Sequence, residues 1–259
     1  MITVARSLGG EVLYEVLGHL DLGRDAASLY DSNRPVRPWT KDLLAAYLVA
    51  PGRLFIHALP LITADFPSMV EALRIGRFSA LRDPASTSLA VRLAEVLAAE
   101  FPRVEARWTQ DAVAARERAV ELVAWFPSLV RIRAALWAET GATPPALEIL
   151  DCDALRARNA TRGRGCAAFG RRRVAVSLGA PMEQVVCQIV HEEMHPVTDR
   201  AVRAAFAGTS QDTRVGGAGF ALHRELERAA VEAGDRIITL VAPELVPGYR
   251  RWLEQNWRA

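Results

Sequence analysis

The 259-residue chain has three cysteines, a single lysine and no uninterrupted apolar run long enough to span a bilayer. Cys152, Cys166 and Cys187 are too few for a disulfide framework and lack the short paired spacing of structural metal sites, which points to reduced thiols and a cytoplasmic location. Lys41 is the one lysine among 32 basic residues, and those nearly cancel 30 acids. No net field therefore draws the chain to nucleic acid or anionic lipid. The most apolar region, 43–64, is cut by Pro51, Gly52 and Arg53 and contains His57 and Pro60, so it reads as two buried helices and not as a membrane span. The first twenty residues interrupt their apolar positions with Arg6, Glu11 and Glu15 and lack the basic start and cleavage site of a signal peptide, so export by that route is not expected.

What is present is the balance of a folded protein, 51% hydrophobic and 24% charged, in a length that suits one large domain or two small ones. Over 40–141 the apolar residues recur at helical spacing, with breaks expected at Pro51-Gly52, Phe66-Pro67, Pro84, Pro102 and Pro127. Residues 1–140 are thus expected to be a helical region. The last long helix of that region, carrying Ala119, Leu122, Phe126, Leu129, Ile132, Leu136 and Trp137, is expected to bend at Pro127 and end near Gly141. From 141 to 259 the period changes. Residues 147–150 and the alternation of Val174, Val176 and Leu178 with Ala175 and Ser177 read as strands, with 166–169 and Gly170 as a hairpin partner. Pro181 opens a helix with Glu183 in its first turn, where the helix dipole favours an anion. The fold class is α+β, mostly helical.

That helix carries His191-Glu192-Glu193-Met194-His195, an H-E-x-x-H motif. Residues four apart stack one turn above each other, so both imidazoles can meet one cation, and Glu192 can reach a water beside it without ligating. Gln184 and Gln188 share the histidine side, and Val186, Ile189 and Val190 form the packing side. Glu193 falls among the packing positions, where it needs solvent at an edge or an arginine partner.

A catalytic zinc site takes three protein ligands and leaves one position open. Residues 220–241 read as a further helix packing through Leu222, Leu226, Ala229, Ala233 and Ile237, with Ala229 and Ala230 small enough to allow close approach. Glu225 and Glu227 flank that face. Glu227 is the favoured third ligand and Glu225 the alternative, while His223, one turn before Glu227, is a candidate catalytic residue stabilising an oxyanion. Tyr249 and the arginines are further candidate donors. Asp199, one turn beyond His195, either orients that imidazole or stands exposed.

Over about residues 145–241 these features resemble the gluzincin class of zinc metallopeptidases, the thermolysin-like superfamily; His195-Pro196-Val197-Thr198-Asp199 is similar to the stretch that follows the motif there. The resemblance implies a zincin-like core over 141–259, with a small sheet and an active-site helix. It also implies a Zn2+ cofactor, a peptide or protein substrate, and a water deprotonated by Glu192 as it attacks the amide carbonyl. The strand at 174–178 is implied to be the edge along which substrate lies. The Asn-Glu-x-x-x-Asp signature of thermolysin itself is absent, and Pro196 is expected to end or kink the zinc helix.

Two other functions fit parts of the pattern. A non-catalytic zinc-binding scaffold needs the histidines but has no use for Glu192. A nucleic-acid binder would use Arg156, Arg158, Arg162, Arg164, Arg171, Arg172 and Arg173, but Phe169 is the one aromatic among them, so base stacking has little to use and nucleic acid is not an expected partner. Neither membrane nor ligand contact is assigned to Trp252 and Trp257, which read as packing residues.

Overall fold

A computed structural model describes residues 1–20, 36–157, 160–208 and 218–256. The β-branched residues Ile2, Thr3 and Val4 open a strand, β1 (Ile2–Arg6), which pairs in parallel with β2 (Ala146–Asp151), Val4 lying opposite Ile149. Two short strands, β3 (Arg156–Ala157) and β4 (Ala160–Thr161), form a separate ladder. β5 (Gly163–Ala168) and β6 (Arg171–Val176) form an antiparallel hairpin, and β6 pairs in parallel with β2, giving the order β1-β2-β6-β5. The hairpin turn is Phe169-Gly170 with φ of 52° and 70°, the left-handed pair of a type I′ turn.

Two expectations change here. The first 140 residues contribute a strand to the sheet, a signal too short to separate from noise in sequence. The strand at Val174 and Val176 is interior and not the edge: Val174 and Val176 face one core while Ala175 faces the other, and β5 and β1 are the edge strands.

Helices cover both faces. Ser7 caps α1 (Leu8–Gly18) by accepting from the Gly10 amide at 3.0 Å. The apolar region splits into α2 (Thr40–Val49) and two single-turn helices, α3 (Arg53–Ile56) and α4 (Leu59–Ile62), where two helices were expected. Asp65 and Asp83, each followed within two residues by proline, cap α5 (Phe66–Arg74) and α6 (Pro84–Gln110). These elements bury Leu13, Leu17, Met69, Leu93 and Leu97 against Leu150 and Ala175 of the sheet. On the opposite face lie α7 (Ala112–Val123), α8 (Phe126–Ala138), α9 (Met182–Ala205), α10 (Ala218–Val241) and α11 (Val246–Asn256), packed on Ile149, Val174 and Val176.

The prolines do not all act as expected. Pro127 sits in the first turn of α8 and the chain breaks before it, so the long helix is two helices. Pro102 lies inside α6, which runs on past it. The carbonyl it orphans belongs to Ala98, an exposed residue, so water can satisfy it. Pro196 lies inside α9, which continues to Ala205. Its orphan is the carbonyl of buried Glu192, and Arg172 of β6 donates to that oxygen through Nη2. An arginine from the sheet thus replaces the missing helical hydrogen bond, and the helix survives.

No helix among the described residues is long and apolar enough to cross a membrane.

Candidate metal centre

The site is built on the one helix face that cannot be apolar. Val186, Ile189, Val190 and Met194 bury one side of α9 in the core. α10 lies against the other side; of the two alanines expected to allow close approach, Ala230 is buried and Ala229 is half-buried. His191 and His195 of α9 then meet Glu227 of α10. His191 Nε2 is 2.9 Å from Glu227 Oε2, His195 Nε2 is 3.3 Å from His191 Nε2, and His195 Nε2 is 3.7 Å from Glu227 Oε2. These three residues can place one ligand atom each within 4.8 Å of the others, and the cluster could hold a metal ion.

The electrostatics agree with the geometry. Burial pushes the Glu227 carboxyl up, but the His191 hydrogen bond and the charges of His191, His195 and His223 more than offset it and hold the group down at about 2. Burial pushes His195 down, but Asp199 and Glu227 raise it above its ordinary value. Asp199 Oδ1 lies 2.9 Å from His195 Nδ1, which fixes the ring and leaves Nε2 facing the cluster. Asp199 therefore orients an imidazole and is not simply an exposed acid. Trp252 of α11 closes the far side, its ring centroid 5.3 Å from that of His191, and Tyr249 stacks behind it.

The remaining candidates separate cleanly. Glu225 is turned outward and pairs with Arg228 at 2.5 Å, so it does not join the cluster. His223 does approach it: Nδ1 is 3.7 Å from Glu227 Oε1, and burial lowers its pKa. Tyr249 is buried with its hydroxyl 3.5 Å from the Val231 carbonyl, a core position that takes it out of the set of oxyanion donors. Trp252 is a packing residue as expected, whereas Trp257 and Arg158 lie outside the described residues. Glu193 has its arginine partner twice over, with Arg133 Nε at 2.5 Å and Arg172 Nε at 3.2 Å. Arg172 and Arg173 are consumed internally, the latter by Glu148 at 2.7 Å and by the Leu61 and Thr63 carbonyls, so the arginine cluster is not one continuous surface.

Sequence reasoning missed what holds Glu192. The carboxylate is buried, accepts from Gln188 Nε2 at 3.1 Å, and lies directly under β5. A Cβ added at Gly163 would stand 2.7 Å from Gln188 Nε2 and 3.0 Å from Glu192 Cγ; one at Gly165 would stand 2.3 Å from Arg172 Nη2 and 3.2 Å from Glu192 Oε2. Two glycines at alternate positions of a strand are the signal, since they mark a face against which another element packs closely. Glu192 therefore sits between the candidate metal cluster and the edge strand β5. Comparison with family models, curated proteins and solved structures returns no match, so none of them identifies a family for the chain.

Proposed function

We propose that the chain is a zinc-dependent hydrolase of peptide or similar amide bonds, of gluzincin type. The observation that carries this reading is the convergence of His191 Nε2, His195 Nε2 and the Glu227 carboxylate beside a buried, non-ligating Glu192. Two neutral imidazoles and a carboxylate are the donor set of catalytic zinc. Tetrahedral coordination with bonds of about 2.0–2.1 Å separates ligand atoms by roughly 3.3 Å, and the three atom pairs here span 2.9–3.7 Å. When bound, zinc would supply Lewis acidity towards a water and a substrate carbonyl.

The rest belongs to the chain. Glu192 takes the proton from the attacking water and delivers it to the departing amine, with Gln188 fixing one carboxylate oxygen. Asp199 holds the His195 ring in place, and His223, beside Glu227, is the donor nearest to a developing oxyanion. β5 offers its unpaired edge to an extended peptide, so that main-chain hydrogen bonds align the scissile amide over Glu192.

The test is metal analysis of purified wild type and Glu192→Gln together with cleavage of a broad peptide library with and without chelator. Zinc in both proteins, with chelator-sensitive cleavage in wild type alone, is the expected result. Zinc in both with cleavage in neither would assign the fold to a binding scaffold, and absence of zinc from both would end the reading.

A further inference from the structure

We infer that the cavity beyond the β5–β6 turn is a selectivity pocket for a bulky aromatic side chain of the peptide substrate, an inference that rests on the hydrolase reading above. The cavity measures about 620 Å³ and is continuous with the candidate metal centre, because His195 and Asp199 form part of its wall. Trp137 of α8, Pro145, Ala167 and Phe169 supply apolar parts of the remainder. Its charged groups have partners in the chain: Asp199 in His195 and Arg203, Arg172 in Glu193 and the Glu192 carbonyl, and the partly exposed Arg171 in Glu148 at 3.4 Å. An uncharged occupant suits such a wall.

Phe169 gives the pocket its strongest argument. It holds φ at 52° in the first position of a type I′ turn, where Asn, Asp or Gly is the unstrained choice, and the residue is 58% exposed. Burial within the described residues does not repay that strain, although the Arg173 guanidinium stands 5.2 Å from the ring centroid. A strained, exposed aromatic on the rim of a cavity beside a reactive centre is accounted for when a ligand covers it. Trp137 adds a second aromatic surface to the wall, while its indole Nε1 is itself buried and so offers the occupant no donor. Offset or edge-to-face contact with two aromatic rings selects a Phe, Tyr or Trp side chain over a small one.

The experiment compares kcat/KM for zinc-loaded wild type, Phe169→Asn and Trp137→Ala on peptides in which each position flanking the cleaved bond is Phe or Ala in turn. Wild type is expected to favour Phe at one position by about tenfold or more. Phe169→Asn is expected to lose most of that preference while its thermal midpoint rises or holds, because Asn adopts the turn conformation without strain. Equal rates for Phe and Ala at every position, or a preference that survives both substitutions, would overturn the inference while leaving the hydrolase standing. If no peptide is cleaved, the hydrolase reading fails, and calorimetry decides the pocket separately. Binding of acetyl-Ala-Phe-Ala-amide at least tenfold tighter than of acetyl-Ala-Ala-Ala-amide, lost in Phe169→Asn, supports it; equal binding refutes it.

Discussion

Arg172 reaches across from β6 to donate to the main-chain carbonyl of Glu192, the very acceptor that Pro196 deprives of its helical N–H. The same guanidinium bonds the Glu193 carboxylate through Nε at 3.2 Å. One side chain therefore ties the sheet to the turn of α9 that carries the candidate general base. Replacing Arg172 with methionine orphans a buried carbonyl and breaks a buried ion pair, with an expected loss of about 3–5 kcal/mol. Pro196→Ala restores the amide donor, so the same Arg172 substitution should cost about 1 kcal/mol less in that background. Urea denaturation of the four proteins measures the coupling, and strict additivity would refute the compensation.

Glu193 is completed by two cations, Arg133 and Arg172, and all three residues are buried. Neutralising the acid leaves two guanidinium groups facing each other in the core. Glu193→Gln is expected to destabilise the fold by about 3–5 kcal/mol, whereas Glu225→Gln, whose carboxylate pairs with Arg228 at the surface, should change stability by less than about 1 kcal/mol. Thermal or urea melts of the two variants check the contrast.

The glycines of β5 set a different trade. At Gly165 a methyl group would meet Arg172 and approach the Glu192 carboxylate, with His191, His195 and Glu227 untouched. Gly165→Ala is therefore expected to bind metal like wild type and to lose about 10²-fold in kcat, the cost of displacing a reacting group by about an ångström. Metal content and turnover measured on one preparation separate the two effects; loss of both together would mean that the strand supports the metal site and not Glu192 alone.

How much of this was legible in the sequence follows from how far each interaction reaches along the chain. His191 and His195 are four residues apart on one helix, so their convergence is a local property, and Glu227 is marked by standing beside the packing stripe of α10. Asp199 is one turn from His195 and equally local. The third-ligand choice between Glu225 and Glu227 turned on helix rotation that the periodicity of Leu222, Leu226 and Ile237 brackets but does not resolve. The survival of α9 through Pro196 was not legible, because it depends on an arginine delivered by sheet pairing from another element. Nor was the edge position of β5: its glycines and arginines carry no alternating pattern, and strand order emerges only when β1, far earlier in the chain, takes its place beside β2.

His57 gives the fold a pH dependence unrelated to the metal centre. It is fully buried, with Nε2 2.7 Å from the Tyr47 hydroxyl, and burial, aided by the Arg164 charge, holds its pKa well below the ordinary value. Below pH of about 6.5 the unfolded chain binds a proton there that the folded chain refuses. Stability from this group is thus complete above about 6.5 and falls on acidification by up to about 1.4 kcal/mol per pH unit until the folded-state pKa is reached. His57→Gln keeps a polar partner for Tyr47 and removes the titration, so its unfolding free energy should decline more gently between about pH 6.5 and 5.5. Parallel slopes for the two proteins would show that other groups govern that range.

Metal affinity should follow the order in which residues approach the cluster. Glu227 contributes an oxygen 2.9 Å from His191 Nε2, Asp199 acts only through the His195 ring, and Glu225 does not take part. Asp199→Asn is therefore expected to weaken zinc binding by about 10–100-fold, the usual effect of losing the acid that orients a ligating imidazole. Glu227→Ala should weaken it by more than that, and Glu225→Ala should leave it unchanged. Competition titrations against a chromophoric chelator give all three constants. Because the Glu227 carboxyl is held at about 2, its protonation does not limit binding near neutrality, and any loss of zinc on mild acidification should trace to the histidines. If Glu225→Ala proved as damaging as Glu227→Ala, α10 would have to be rotated from the orientation described and the assignment of the third ligand would fall.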